Sequence, residues 1–269
     1  MKVRIKFRKT GPMKFLGHLD TMRYFQKAVR RADLPVAFTQ GFSPHMIMSF
    51  ASPLGVGIES EGEYFDLELR EKIQMEEICS RLNAQMAEGT RVECAVQAPD
   101  GKAGNAMALV AAADYRIRFR EGKGPGEGHN ARTGIIPDGE TEQAAGAGPD
   151  GRLELSRGWQ DRIEDFLAQP SIMIKKTTKT GEKEVDIRPY IYEMRMSDDG
   201  SGEEGSNRGI FCRLAAASSN FTKPDAVMDA FYAFLGEEKP EFACMITRLE
   251  LYADRGSEEE HEFVPLYKY

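Results

Sequence analysis

Val3, Ile5 and Phe7 alternate with Lys2, Arg4, Lys6 and Arg8 at the start of the chain. A period of two puts the apolar residues on one face and predicts a half-buried strand with a basic outer face. Past Gly11-Pro12 the period changes: Met22, Phe25 and Val29 recur at helical spacing, while Arg23, Lys27, Arg30 and Arg31 lie largely off that stripe. This predicts an amphipathic helix, capped by Asp20 or Thr21 and running to about Ala32. Pro35 ends it, and residues 36–39 read as a strand. The turn Gly41-Phe42-Ser43-Pro44-His45 comes next, then a short apolar strand over 46–50 and a glycine-rich loop, Pro53-Leu54-Gly55-Val56-Gly57. Alternation returns over 64–69, followed by an amphipathic helix over about 75–86 and a strand over 92–96. Strand, helix, strand, strand, helix, strand is the order of a ferredoxin-like split βαβ unit. In that fold helices cover one face of an antiparallel sheet and leave the other available.

An Ala-rich stretch, 103–113, reads as a helical connector, and 115–119 as a strand carrying Arg116 and Arg118 at alternate positions. From Gly122 to about Gly151 the chain is rich in Gly, Glu, Ala and Pro, with almost no large apolar residue. Such a segment buries too little surface to offset its ordering entropy and is expected to be a disordered insertion. A helix containing Trp159, Ile163, Phe166 and Leu167 comes after it, then strands over 172–176 and 185–187 about a turn at Thr180-Gly181-Glu182. Further strands are predicted over 190–196 and 210–214, a helix headed by Pro224 over 226–235, and a last strand over 245–251. The expected fold class is therefore α+β, a tandem of ferredoxin-like units with antiparallel sheets and a disordered insertion in the second. The first domain spans 1–100, a connector 101–113, and the second domain 114–269.

Composition narrows the class. The 269 residues are 41% hydrophobic and 29% charged, which is ordinary for a globular protein. No stretch approaches the roughly 18 apolar residues of a membrane span, and the start alternates charge with apolar residues instead of forming a signal-peptide core. A cytoplasmic protein with no membrane association is expected. Cys79, Cys94, Cys212 and Cys244 show no C-x-x-C spacing, so neither a disulfide framework nor a locally spaced zinc or iron–sulfur site is indicated. No metal and no cofactor are expected. The formal charge of −7 is uneven: residues 1–50 hold ten cations against Asp20 and Asp33, a local charge of +8, which leaves −15 for the rest. Local positive density is what a polyanion site needs; the same charges also suit the solvated faces of a strand and a helix.

The candidate nucleic-acid-binding residues are Arg4, Lys6, Arg8, Arg23, Lys27, Arg30 and Arg31, with His18 and His45 on turns beside strands. Either histidine can serve a phosphate or a proton transfer, or can equally satisfy a helix entry and a turn carbonyl. Lys179 and Arg188 join the set from a basic hairpin in which Arg188 stands near Tyr190; Glu182, Glu184 and Asp186 interleave there and offer cross-strand pairing instead. The spacing of His18, Asp20 and His45 does not place a two-His-one-carboxylate metal set on one face.

Arg4 through Lys9, Phe15-Leu16-Gly17-His18-Leu19-Asp20, Arg30-Arg31-Ala32, Leu34-Pro35, Gly41-Phe42-Ser43-Pro44-His45, Pro53-Leu54-Gly55-Val56-Gly57 and Glu63-Tyr64 resemble, in order, the signature of the radical SAM-linked protein family. Lys179 and Val185-Asp186-Ile187-Arg188-Pro189-Tyr190-Ile191 look like a second block of it. The resemblance implies association with a radical SAM enzyme as partner, and gene neighbourhoods of the family point to RNA. The chain has no C-x-x-x-C-x-x-C cluster motif, so the expectation is a non-catalytic accessory module that binds tRNA or rRNA through its basic N-terminal face. Two alternatives stand beside it: a metal-independent RNA-processing enzyme using His18, by analogy with CRISPR repeat endonucleases of two ferredoxin-like units, and a protein-only adaptor for a radical SAM partner.

Overall fold

A computed structural model describes residues 1–99, 101, 104–125, 151–178, 181–198, 208–257 and 259–269. In chain order the elements are β1 (Lys2–Lys9), α1 (His18–Arg31), β2 (Met48–Phe50), β3 (Glu59–Glu68), α2 (Met75–Asn83), β4 (Thr90–Gln97), α3 (Ala106–Leu109) and β5 (Val110–Phe119). Then come α4 (Gly151–Leu167), β6 (Met173–Thr178), β7 (Gly181–Asp186), β8 (Ile191–Asp198), β9 (Arg208–Ala215), α5 (Pro224–Phe234), β10 (Cys244–Asp254) and β11 (Phe263–Pro265). The fold is α+β with a large, mostly antiparallel sheet. Strands pair in the order β4-β1-β3-β10-β5-β9-β8, with β2 added to β3 and β11 to β10. Two successive sets therefore share one order: β4-β1-β3-β2, then β10-β5-β9-β8, fourth-first-third-second in each, which is the ferredoxin-like arrangement. β6 and β7 make a separate two-stranded sheet.

The chain forms two compact units: Met1–Arg116, Arg213–Phe221 and Ile246–Tyr269 in the first, Ile117–Cys212 and Thr222–Met245 in the second. In the first, β1 is antiparallel to both β3 and β4, and β10 joins β3 in parallel, Thr247 opposite Glu59 and Arg248 opposite Ser60. The predicted apolar face of β1 is the core face: Val3, Ile5 and Phe7 pack with Phe65 and Leu67 of β3, Phe25 and Val29 of α1, and Ile78 and Leu82 of α2. Phe7, Phe25, Phe50 and Phe65 form an aromatic cluster with ring centroids 4.5–6.0 Å apart, within the range of favourable edge and offset contacts. In the second unit Phe166 of α4 meets Phe231 and Phe234 of α5, and Trp159 packs edge-on to Phe119.

Several expectations need correction. Of the basic face of β1 only Arg8 is solvated, and Lys6 is half-buried. Lys2, Arg4 and Lys9 are buried, and oxygens of Pro99, Gly101, Gly104, Asn105, Leu16 and Leu266 meet their charges. Among the described residues the connector is helical only over Ala106–Leu109, and Val110 already begins β5. Ala112 and Ala113 are fully buried in a central strand, where small side chains fit and local helix propensity is overridden. α1 starts at His18 with Gly17 as its cap, so Asp20 lies in the first turn, where a carboxylate complements the helix dipole. Residues 36–39 make two isolated bridges instead of a strand, Val36 to Leu69 and Phe38 to Met46. α4 begins at Gly151, and β11 and the short helix Leu266–Lys268 lie beyond the last predicted strand. Of the insertion expected over about 122–151, residues 126–150 are outside the described residues, as are Lys179 and Thr180.

Candidate functional site

The motif loops meet at the end of β1. Thr10 hands the chain to a short 3₁₀ turn, Gly11–Phe15, with Pro12 in its first turn where the missing N–H costs nothing. The backbone N–H of Gly57 donates to the Lys14 carbonyl at 2.9 Å, which joins the glycine-rich loop to this turn. Gly57 sits at φ 88°, a left-handed conformation that explains glycine at that place. Glu59 adds a second tie, accepting from the Gly11 N–H at 3.2 Å and from Lys14 Nζ at 3.1 Å.

Buried ions brace these loops from below. Arg248 of β10 is 0% exposed; its Nε donates to Glu63 at 2.7 Å and its guanidinium to the Ser52 carbonyl at 3.0 Å. The fully buried Tyr115 of β5 adds an electrostatic interaction with the same guanidinium. Lys9 Nζ donates to the Leu16 carbonyl at 2.9 Å. Burial pushes the Lys9 ammonium below its ordinary range, opposed by Glu63 and reinforced by Arg248. The loops these ions hold present apolar side chains to solvent, Phe15 at 64% and Val56 at 63% exposure, and the first turn of α1 adds Leu19 at 59%.

α1 runs from this end of the unit. At about 100° per residue, Arg23, Lys27, Arg30 and Arg31 fall within an arc of about 100° on one side of the helix, and all four are exposed. Arg23 approaches Asp20 at 3.5 Å, and Arg31 donates to Gln85 at 3.2–3.3 Å. The side chains of Lys27 and Arg30 make no hydrogen bond or ion pair among the described residues. His18, the first residue of α1, is half-buried with its ring edge-on to Phe50 at 5.6 Å. It belongs to the inner side of the helix, away from the cationic stripe.

The other predicted site residues separate from this group. Arg4 is 1% exposed and spends its donors on Asp66 at 3.0 Å, the Leu266 carbonyl at 3.0 Å and the Gly104 carbonyl at 2.7 Å. Lys6 pairs with Glu250 at 2.7 Å and lies over the Tyr267 ring at 5.0 Å. Neither is presented to a polyanion, which corrects their assignment. Arg8 is partly exposed but paired with Glu93. His45 is exposed on its turn, Nδ1 3.1 Å from Thr39 Oγ1. Arg188 belongs to the second unit and is structural there, donating to the carbonyls of Leu167 at 2.6 Å and Ile191 at 3.3 Å. Lys179 lies outside the described residues. Among the described residues no three His, Cys, Asp or Glu side chains converge as metal ligands, and no helix is long and apolar enough to cross a membrane. Lys9, Glu63 and Arg248 were missed as one bracing cluster, and nothing local marks a pair 185 residues apart.

These loops and this helix come from the part of the chain densest in recurrent motifs, and a family model spans that part and much of the second unit. Residues 2–224 match the family described as an uncharacterised protein conserved in bacteria, DUF2344. The chain belongs to this family. Among curated proteins none matches it. In this DUF2344 chain the matched range takes in both strand sets up to the first residue of α5, so β10 with Arg248, and the chain end that meets Arg4, lie beyond it.

Proposed function

We propose that this chain is a cytoplasmic, non-catalytic accessory module that works alongside radical SAM enzymes and binds RNA, tRNA or rRNA, through the exposed side of α1. The carrying observation is that Lys27 and Arg30, inside a four-cation stripe, have no carboxylate partner among the described residues, whereas the cations of β1 are all engaged internally. Unpaired surface cations at helical spacing suit phosphates along a backbone and release counterions when they bind. Phe15, with Lys14 Nζ 5.6 Å from its ring centroid, adds an exposed aromatic face on which an unpaired base can stack. The radical SAM association rests on the motif resemblance.

Salt-dependent binding of a fluorescent tRNA to the purified chain tests this reading. Arg30→Glu with Arg31→Glu is expected to abolish association, and Lys27→Ala to lower the salt slope by about one unit. Binding that survives the double reversal unaltered overturns it. A second reading, a protein-only adaptor, draws support from the exposed Leu19 and Val56, since aliphatic side chains offer little to RNA and much to an apolar partner surface. Leu19→Glu that breaks a complex with a radical SAM enzyme while leaving tRNA binding intact would favour it.

A further inference from the structure

The motif ending in His45 has no place in the surface proposed above, yet it borders a cleft. Strand register puts Lys2, Ser49, Asp66 and Glu68 on the face of the sheet opposite α1 and α2. At the β2 edge of that face is a cleft of about 200 Å³ whose lining includes Lys2, Thr39, His45, Ser49, Glu68 and Asn105.

The hydrogen-bond inventory decides what such a cleft can accept. The Lys2 ammonium has three hydrogens and gives them to the carbonyls of Pro99 at 2.9 Å and Gly101 at 2.8 Å and to Asn105 Oδ1 at 2.6 Å. No donor is left there for an anion. Asp66 is occupied by Arg4 and by the Ala106 N–H at 2.7 Å. The Glu68 carboxylate is different: it makes no hydrogen bond or ion pair among the described residues, and neither does the Ser49 hydroxyl. His45 is steadied through Nδ1 by Thr39, which leaves Nε2 uncommitted. The cleft therefore has saturated cations and an open carboxylate. A carboxylate that is partly withdrawn from water and lacks a partner favours a ligand with N–H donors and positive charge.

We infer that this cleft binds a small organic cation bearing a guanidinium or primary ammonium group, with Glu68 as its counter-ion and Ser49 and His45 as flanking polar contacts. A planar guanidinium matches the two carboxylate oxygens as a fork. The volume is below the 300–1,000 Å³ of pockets for drug-sized molecules, which restricts the ligand to a short chain. The site is independent of the RNA-binding reading, because it lies on the opposite face of the sheet from α1.

Calorimetric titration of the full chain with agmatine, which carries both head groups, tests the inference against inorganic phosphate at the same ionic strength. Saturable one-site binding of agmatine is expected, with no phosphate binding. Glu68→Gln is expected to weaken agmatine at least tenfold, while its melting temperature stays at the wild-type value because the carboxylate supports no internal contact. The Arg30→Glu, Arg31→Glu variant is expected to bind agmatine normally, so the two sites stand or fall separately. Absence of saturable agmatine binding, affinity unchanged by Glu68→Gln, or binding of phosphate in its place would each overturn the assignment.

Discussion

β1 contributes five cations and α1 four, and both elements alternate them with apolar residues at their own period. Their fates are opposite. On β1, Lys2 serves three oxygens, Arg4 a carboxylate and two carbonyls, Lys6 and Arg8 one carboxylate each, and Lys9 a carbonyl. On α1, Arg23 has one long approach to Asp20, Arg31 a glutamine, and Lys27 and Arg30 nothing among the described residues. A strand inside a wide sheet has two faces that later chain can cover. Here Pro99, Gly101, Gly104, Asn105 and Leu266 bring oxygens to the polar one, and Tyr267 a ring. A helix laid on the outer side of the core has one face left over. Periodic charge thus marks a polar face; which polar partner meets it, water or the protein's own oxygens, is set by segments far away in sequence.

The most severe test of this contrast removes one cation from each element. Arg4→Met leaves Asp66 buried without its counter-charge and is expected to cost about 3–5 kcal/mol of stability. Lys27→Met is expected to stay within about 0.5 kcal/mol. Urea unfolding of the two variants checks both, and similar midpoints would refute the division. The double reversal on α1 belongs with Lys27: Arg30→Glu with Arg31→Glu should leave the thermal transition close to wild type, since exposed charges contribute little to folding.

Chemical labelling gives a gentler measure on the native chain. Acylation by an N-hydroxysuccinimide ester followed by peptide mapping should modify Lys27 well before Lys2, Lys6 or Lys9; equal rates would mean that the β1 face opens in solution.

The smallest expected effect is a pH dependence of Lys9. Its folded pKa is lowered, chiefly by burial, so its charged form works against folding below that pKa, and the penalty fades as pH rises toward the unfolded value near 10.4. The stability of the wild type relative to Lys9→Met should therefore increase as pH is raised through the alkaline range toward that value. A flat difference would show that Lys9 is solvated.

Parts of this arrangement were legible beforehand. The apolar stripe of α1 and the inward face of β1 follow from periodicity alone, and α1 exposes the four cations its spacing sets apart. The order of elements pointed to paired ferredoxin-like units, which the repeated fourth-first-third-second pairing bears out. The buried bracing cluster was not legible, because Glu63 and Arg248 meet only when β10 joins β3 in parallel. Nor was the exposure of Phe15 and Val56: a lone apolar residue in a loop reads the same whether it is tucked in or presented.

Local sequence was enough to settle which residues share a face on β1, β3 and α1, where Pro12, Gly57 and Pro224 punctuate the chain, and the α+β order of elements. These depend on dihedral preferences and on periods of 2 and 3.6, which act between near neighbours. Long-range packing had to settle that Lys2, Arg4 and Lys9 of β1 face the protein's own oxygens, that the Ala-rich stretch ending in Ala113 turns from helix to strand at Val110, and that the Glu68 carboxylate is left open in a cleft. Each of these depends on what lies against the segment, and burial of a charge or of a backbone polar group is tolerated only where a distant part of the chain supplies its partner.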